Sequence, residues 1–194
     1  MLSLDTTHAV TGCLLDADAD ATSFGFRSPA ALLVLHDRPL TPPGPRRLRQ
    51  LRAVAYTLNP HDLAAHTQGV PGVLTDLAAA LTRSTTTTVG RGVDLAELAD
   101  AIAHDPPDFR LLAWAVLYHD LHAGPAGIHE IRRVDAVDVD GRLYQITRRR
   151  GEAFAVVVVD DQPDPNSVPA THPGLSALIA ASRRLARTHR NTSR

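Results

Sequence analysis

The chain has 194 residues, of which 44% are hydrophobic and 4% aromatic, and its 20 basic and 21 acidic side chains give a formal charge of −1. This length suits one domain with a sizeable core, and the balanced charge excludes a histone-like or polybasic protein. No apolar run reaches the ~18–20 residues of a membrane helix, and the single cysteine, Cys13, has no partner for an intramolecular disulfide. We expect a cytoplasmic protein with no secretory signal and no membrane association.

All 20 basic residues are arginine, and the chain contains no lysine. Schiff-base chemistry, Ser–Lys dyads and ordinary P-loop ATPases all require a lysine amine and are therefore excluded. A Gly-x-Ser-x-Gly nucleophile motif is absent as well. Exclusive use of arginine is typical of a GC-rich genome, so we expect a bacterial protein.

The N-terminal part of the chain contains two apolar runs, over residues 9–15 and 30–35. Both are short and rich in Val and Leu, which favours strands over helices and predicts a strand pair. A turn over 41–45 ends in Pro45, a residue that suits the first position of a helix. Leucines at helical spacing then predict a helix over 46–58.

The middle of the chain is predicted to be helical. A short helix is predicted over 60–67, between the Asn59-Pro60 turn and Gly69, and an apolar stripe predicts another helix over 71–83. Asp94 and Glu97 form a capping box that predicts a third helix over 94–104, after a threonine-rich loop over 84–92. The following segment, 109–122, is apolar almost all round, so we expect it to be the central buried helix.

The C-terminal part of the chain predicts an antiparallel β-meander with strands over 131–139, 142–147 and 153–159. Asp140-Gly141 is a typical two-residue hairpin turn. The alternation slips between Ala136 and Val137, which indicates a bulge. The strand over 153–159 is apolar on both faces and is expected to be the most buried. A closing helix over 173–187 follows, with a frayed tail over 189–194.

These elements predict one α+β domain over residues 1–194. It has a helical middle, an N-terminal strand pair, and a C-terminal three-stranded antiparallel β-meander followed by a closing helix. Whether the N-terminal strands join the meander in one sheet stays open at this point.

Four side chains near the end of the predicted buried helix are candidate metal ligands. His119 and His122 are at i and i+3, so a helix would place them on one face. Asp120 lies beside them, and His129 follows the next turn. A divalent metal needs several nitrogen and oxygen ligands that converge, which this group would supply. The alternative is that these histidines interact with the carbonyls of a helix C-terminus.

The string Ala113-Trp-Ala-Val-Leu-Tyr-His119-Asp120-Leu resembles the His-Asp helix of HD-domain phosphohydrolases. In that family the His-Asp pair binds a divalent metal that activates water against a phosphoester. The resemblance implies a metal-dependent hydrolase and an all-helical fold, although a meander follows here.

Acidic residues provide a further resemblance. Asp18-x-Asp20-x-Thr22 is similar to the nucleophile motif of haloacid-dehalogenase phosphatases, and Asp160-Asp161 after a valine run is similar to their late acidic motif. An EF-hand starting at Asp16 is rejected, since it would require a glycine where Ala21 stands. Solvated acidic turns are the alternative interpretation of both stretches.

Arginines form the last candidate site. Arg46, Arg47 and Arg49 lie on the helix predicted over 46–58, and a second group, Arg148 to Arg150, ends a meander strand. Arginines that share one face bind phosphates and provide most of the affinity for nucleic acid. The alternative is a pair of solvated faces neutralised by nearby acids.

Two classes of function remain after these exclusions. The first is a non-enzymatic bacterial binding or regulatory protein without a cofactor, acting through protein–protein contacts or self-association and possibly binding nucleic acid. Its contact surface would be the meander edge or the apolar helices. The alternative is a metal-dependent phosphohydrolase that uses one divalent metal at His119, Asp120 and His122.

Overall fold

A computed structural model describes residues 1–39, 49–83, 110–125 and 127–192. They form an α+β fold around a six-stranded antiparallel sheet, which confirms the predicted class, the meander and the closing helix. None of the described helices is both long enough and apolar enough to cross a membrane. In chain order the elements are α1 (Leu4–Ser23), β1 (Ala31–Pro39), β2 (Arg49–Thr57), α2 (Pro60–Ala65), α3 (Val70–Arg83), β3 (Arg110–Gly124), β4 (Gly127–Asp138), β5 (Leu143–Arg149), β6 (Val156–Asp160) and α4 (His172–Thr192).

The N-terminal strands and the meander belong to the same sheet, whose order is β2-β1-β3-β4-β5-β6. The junction is the antiparallel pairing of β1 with β3, in which Leu33 lies opposite Ala115. All neighbouring strands are antiparallel. Among the strands that the structure describes, β2 and β6 are therefore the two edges of the sheet.

Helices cover both faces of the sheet. On one face, α3 and α4 pack against Trp114 and Val116 of β3. On the other face, α1 packs against a second apolar cluster that includes Ala115 and Leu117 of the same strand. Alternate β3 side chains thus enter two separate cores, since successive residues of a strand point to opposite faces.

The prediction of a central buried helix over 109–122 is wrong, because this segment is the strand β3. A strand buried on both faces is apolar at every position, and such a run has no period that distinguishes it from a buried helix. Residues 112–117 are nevertheless buried in a central strand of the sheet, whereas residues 120–122 are exposed.

Two further predictions in the first 60 residues are wrong for a related reason. The run over 9–15 belongs to α1 and not to a strand. The segment over 46–58 contains β2 and not a helix, with residues 46–48 outside the described part of the chain. In both cases an apolar pattern too short to fix its period was assigned the wrong type of element.

Several other predictions are confirmed. The run over 30–35 contributes to β1, and α2 and α3 match the helices predicted over 60–67 and 71–83. A turn lies at Asp140-Gly141 as predicted, with Gly141 at φ +89°, a conformation that favours glycine, but the loop between β4 and β5 has four residues, 139–142, and not two. The closing helix extends to Thr192, beyond the predicted end at 187. The predicted helix over 94–104 and the loop over 84–92 lie outside the described residues.

The predicted bulge between Ala136 and Val137 is wrong, since β4 keeps an unbroken register with both neighbouring strands. The register shift lies instead in the pairing of β1 with β3, between Leu35 and His36. Leu112 is the extra residue at that position, and its side chain is fully buried.

Candidate functional site

The strand β6 forms one edge of the sheet and carries four consecutive valines. Their exposed fractions are 64% for Val156, 37% for Val157, 48% for Val158 and 41% for Val159. No other described strand pairs with the outer side of β6. The expectation that residues 153–159 form the most buried strand is therefore wrong.

The valines are exposed because the helices cover the sheet only as far as β5. On the face of α1, Val157 and Val159 lie beside the β5 residues Ile146 and Tyr144, which are each 1% exposed. The side chains of α1 reach β5, where Asp18 accepts a hydrogen bond from Arg148. The outermost strand thus extends beyond the helical layer.

Opposite charges flank the two ends of β6. Before it, β5 ends at Arg149 and Arg150 follows in the turn, while β6 ends at Asp160 and Asp161 follows directly. Arg150 donates to Glu130 at 2.7 Å, and Asp161 accepts a hydrogen bond from Arg142, so the charge at each end is partly neutralised. Positive charge at one end and negative charge at the other make the edge polar along its length.

The opposite edge of the sheet has a different character. The side of β2 with Val54, which is 40% exposed, also carries Gln50 and Arg52. Arg52 donates from Nε to the Gln50 side chain at 3.2 Å. Charged side chains on an edge strand oppose pairing with another chain. The four valines of β6, by contrast, have no charged residue among them that would oppose such pairing.

The proposed metal ligands do not share a face as a helix would require. Because residues 119 and 122 lie on a strand, His119 and His122 point to opposite faces of the sheet. His129 lies directly opposite His122 on β4, while Asp120 is 3.7 Å from the guanidinium of Arg133. Among the residues that the structure describes, no three metal-ligating side chains are close enough to hold a metal ion.

His119 lies in an apolar contact instead. Its ring packs edge-on against Phe26, with 5.2 Å between the ring centroids. Burial lowers the pKa of His119 below its ordinary value, an effect opposed by a hydrogen bond to the Ser28 backbone. Its Nε2 is buried and has no hydrogen-bond partner within the described part of the chain. Its environment favours the neutral ring.

The proposed phosphate-binding arginines are dispersed in the fold. Arg46 and Arg47 lie outside the described residues, and Arg49 begins β2 at one edge of the sheet. Arg148 lies in β5, next to the other edge strand, and donates to the buried Asp18 carboxylate at 2.7 Å. Since four strand spacings separate β2 from β5, Arg49 and Arg148 are on strands roughly 19 Å apart.

The remaining two arginines have acidic partners. Arg149 lies 3.7 Å from Glu152 and also contacts the ring of His129. Arg150 lies 2.7 Å from Glu130. The structure thus brings Arg148, Arg149 and Arg150 together at the end of β5, but each is already engaged with another group.

Comparison of the sequence with protein-family models and curated proteins, and of the fold with solved structures, gave no match. The valine strand β6 was predicted from the sequence to be buried, but it lies exposed at a sheet edge. The sequence shows that this strand is apolar on both faces. It does not show the strand order, which leaves β6 at the edge of the described sheet.

Proposed function

We propose that this protein is a non-enzymatic binding protein that acts by homotypic contacts, in which β6 of one copy pairs antiparallel with β6 of a second copy. The observation that carries the proposal is the exposed row of valines, Val156 to Val159, on an edge with which no other strand of the described residues pairs. Pairing would join two six-stranded sheets into one.

The sequence of β6 suits a position inside a sheet better than one at its edge. Strands with neighbours on both sides and helices on both faces are apolar throughout, and β6 has this composition. Edge strands are usually blunted by charge, proline or a bulge, whereas Asp160 is the one charged residue in β6. A second copy would supply the missing neighbour.

The charges at its two ends favour an antiparallel arrangement of identical chains. A two-fold axis normal to the sheet through Val158, the middle residue, places Val157 opposite Val159 of the second copy on the same face. The same axis brings the Arg149 and Arg150 end of one copy toward the Asp160 and Asp161 end of the other. Two strands in parallel register would place like charges side by side.

The contact is short, since β6 has five residues. Stable protein interfaces bury about 800 Å² on each partner, and association must offset the loss of translational and rotational freedom. We therefore expect a reversible dimer whose population rises with protein concentration.

Sedimentation equilibrium of wild type, Val158→Lys and Val54→Lys tests this proposal. Both valines are exposed to a similar degree, one on each sheet edge, so Val54→Lys is a matched control for the change in charge. We expect dimerisation in wild type and in Val54→Lys and its loss in Val158→Lys. A wild type that stays monomeric to its solubility limit, or a dimer that Val158→Lys leaves intact, would overturn it.

A further inference from the structure

A groove of about 580 Å³ lies between α1 and the outer strands β1 and β2, remote from β6. Its volume is within the ~300–1,000 Å³ typical of small-molecule sites. The floor includes Leu33 of β1 and Leu117 of β3, two nearly buried side chains of the α1-side core. The groove is therefore an apolar cleft with an open side.

Small side chains create this cleft. Ala17 and Ala21 line it from α1, and Ala53 and Ala55 line it from β2. The two β2 alanines are exposed to solvent, although they face the side of the sheet on which α1 packs. Larger apolar residues at these positions would fill the space between helix and strand. The sequence instead leaves it open.

Two carboxylates line the helical wall of the groove. Asp16 and Asp20 are one helical turn apart on α1. Neither forms an ion pair with another residue that the structure describes. Arg52 of β2 also lines the groove, but strand alternation directs its side chain to the face of Val54, where it donates to Gln50. The lining charges therefore sum to a net negative value, concentrated on the α1 side.

Two further polar groups line the walls without adding charge. Burial, followed by the nearby Asp16 carboxylate, raises the pKa of the Cys13 thiol, so the thiol stays protonated at neutral pH. Ser28 is 8% exposed, and its hydroxyl has no hydrogen-bond partner in the described part of the chain. Buried hydroxyls normally have a partner, so Ser28 marks an unsatisfied polar position beside the apolar floor.

We propose that this groove binds a small amphipathic organic cation, a molecule with an apolar body and one ammonium group. The apolar body would lie on Leu33 and Leu117 between the two pairs of alanines. The ammonium group would lie at Asp16 and Asp20, which are exposed on the helical wall, because charge-assisted hydrogen bonds are stronger than bonds between neutral groups. An anionic amphiphile would meet the same two carboxylates and is disfavoured.

Calorimetric titration of the full chain with n-octylammonium chloride tests the proposal, with n-octanol and octanoate as matched probes of equal chain length. We expect saturable binding of the ammonium compound and at least about tenfold weaker binding of the other two, because a hydrogen bond to a charged group contributes about 1.5–3 kcal/mol. Equal binding of all three probes, or no binding of the ammonium compound, would overturn it.

Three variants locate the site. The double variant Asp16→Asn, Asp20→Asn should weaken octylammonium binding about tenfold, whereas Asp5→Asn, which removes an exposed carboxylate elsewhere on α1, should not change it. Ala55→Trp should abolish binding by filling the groove. Ala55 is exposed, so the larger side chain is accommodated, and urea unfolding verifies the fold. Unchanged binding in both groove variants would contradict the assigned site.

Discussion

Arg132 of β4 donates from Nε to the Asp18 carboxylate of α1 at 2.7 Å, and the two side chains are 0% and 1% exposed. Arg148 of β5 donates to the other oxygen of the same carboxylate, also at 2.7 Å. One buried acid on the helix thus joins α1 to two neighbouring strands. The sequence around Asp18 resembles a phosphatase nucleophile motif, but in the structure this carboxylate is buried and bonded to two arginines.

Substituting this acid should destabilise the protein strongly. Asp18→Ala leaves Arg132 buried without its counter-charge, and removal of one partner of a buried pair costs about 3–5 kcal/mol. Urea unfolding of the variant and wild type measures the loss in the free energy of unfolding.

The matched comparison is Glu130→Ala, which breaks two solvent-accessible pairs, with Arg27 and with Arg150. Exposed pairs contribute about 0–1 kcal/mol, so this variant should unfold close to the wild-type midpoint. Equal destabilisation by the two substitutions would contradict the special role of the buried pair.

A second buried bond joins the sheet to the closing helix. The indole Nε1 of Trp114 donates to the hydroxyl of Ser182 at 3.0 Å, and both residues are almost completely buried. Ser182→Ala removes the acceptor and leaves a buried N–H unsatisfied, which costs about 1–3 kcal/mol. Thermal unfolding should show a lower Tm for Ser182→Ala than for Ser23→Ala, whose exposed hydroxyl bonds within α1. Equal Tm values would show that the indole finds another acceptor.

The pH dependence of stability follows from histidines that folding keeps neutral. Burial lowers the pKa of His119 below its ordinary value of 6.5, and Arg132 lowers it further. The unfolded chain therefore binds the proton first as the pH falls, so stability decreases from about pH 6.5 down through the lower folded-state pKa. His36 and His172 have lowered pKa values, chiefly from burial, and act in the same direction.

Replacing His119 isolates its part of this effect. His119→Phe retains an aromatic ring against Phe26 but cannot be protonated. The difference in unfolding free energy between wild type and variant should be constant above about pH 6.5 and should shift in favour of the variant below it. Urea unfolding at several pH values measures this difference. Parallel profiles at all pH values would contradict the assignment.

The sequence predicted the elements whose pattern has a clear period or a specific turn. Val73, Leu74 and Leu77 repeat at helical spacing, and α3 lies where they predict it. Asp140-Gly141 places a turn directly after β4. By contrast, the run from Leu111 to Leu117 has no polar position, so its period cannot be read. Its assignment as a strand depends on pairing with β1 and β4, partners distant in sequence.

The candidate sites show the same limit. The spacing of His119 and His122 predicted a shared face only because a helix was assumed, and the strand separates them. The valines of β6 were recognised as apolar on both faces, but their exposure depends on the strand order, which local sequence does not encode. The groove depends on Ala17 and Ala55, small residues from distant segments whose proximity no local motif indicates.

Two helical glycines should respond in opposite ways to alanine. In α4, a Cβ at Gly174 would lie 2.6 Å from the Cβ of Leu74 on α3, so α4 or α3 would have to shift. In α1, a Cβ at Gly12 meets nothing within 4 Å. Alanine is favoured over glycine inside a helix by about 0.5–1 kcal/mol.

Gly12→Ala should therefore stabilise the protein by about that amount. Gly174→Ala should instead destabilise it by about 1–3 kcal/mol, the usual cost of overpacking a core. Urea unfolding of both variants measures the two effects. Stabilisation by Gly174→Ala would show that the helices separate easily, and it would contradict a close and rigid contact between α3 and α4.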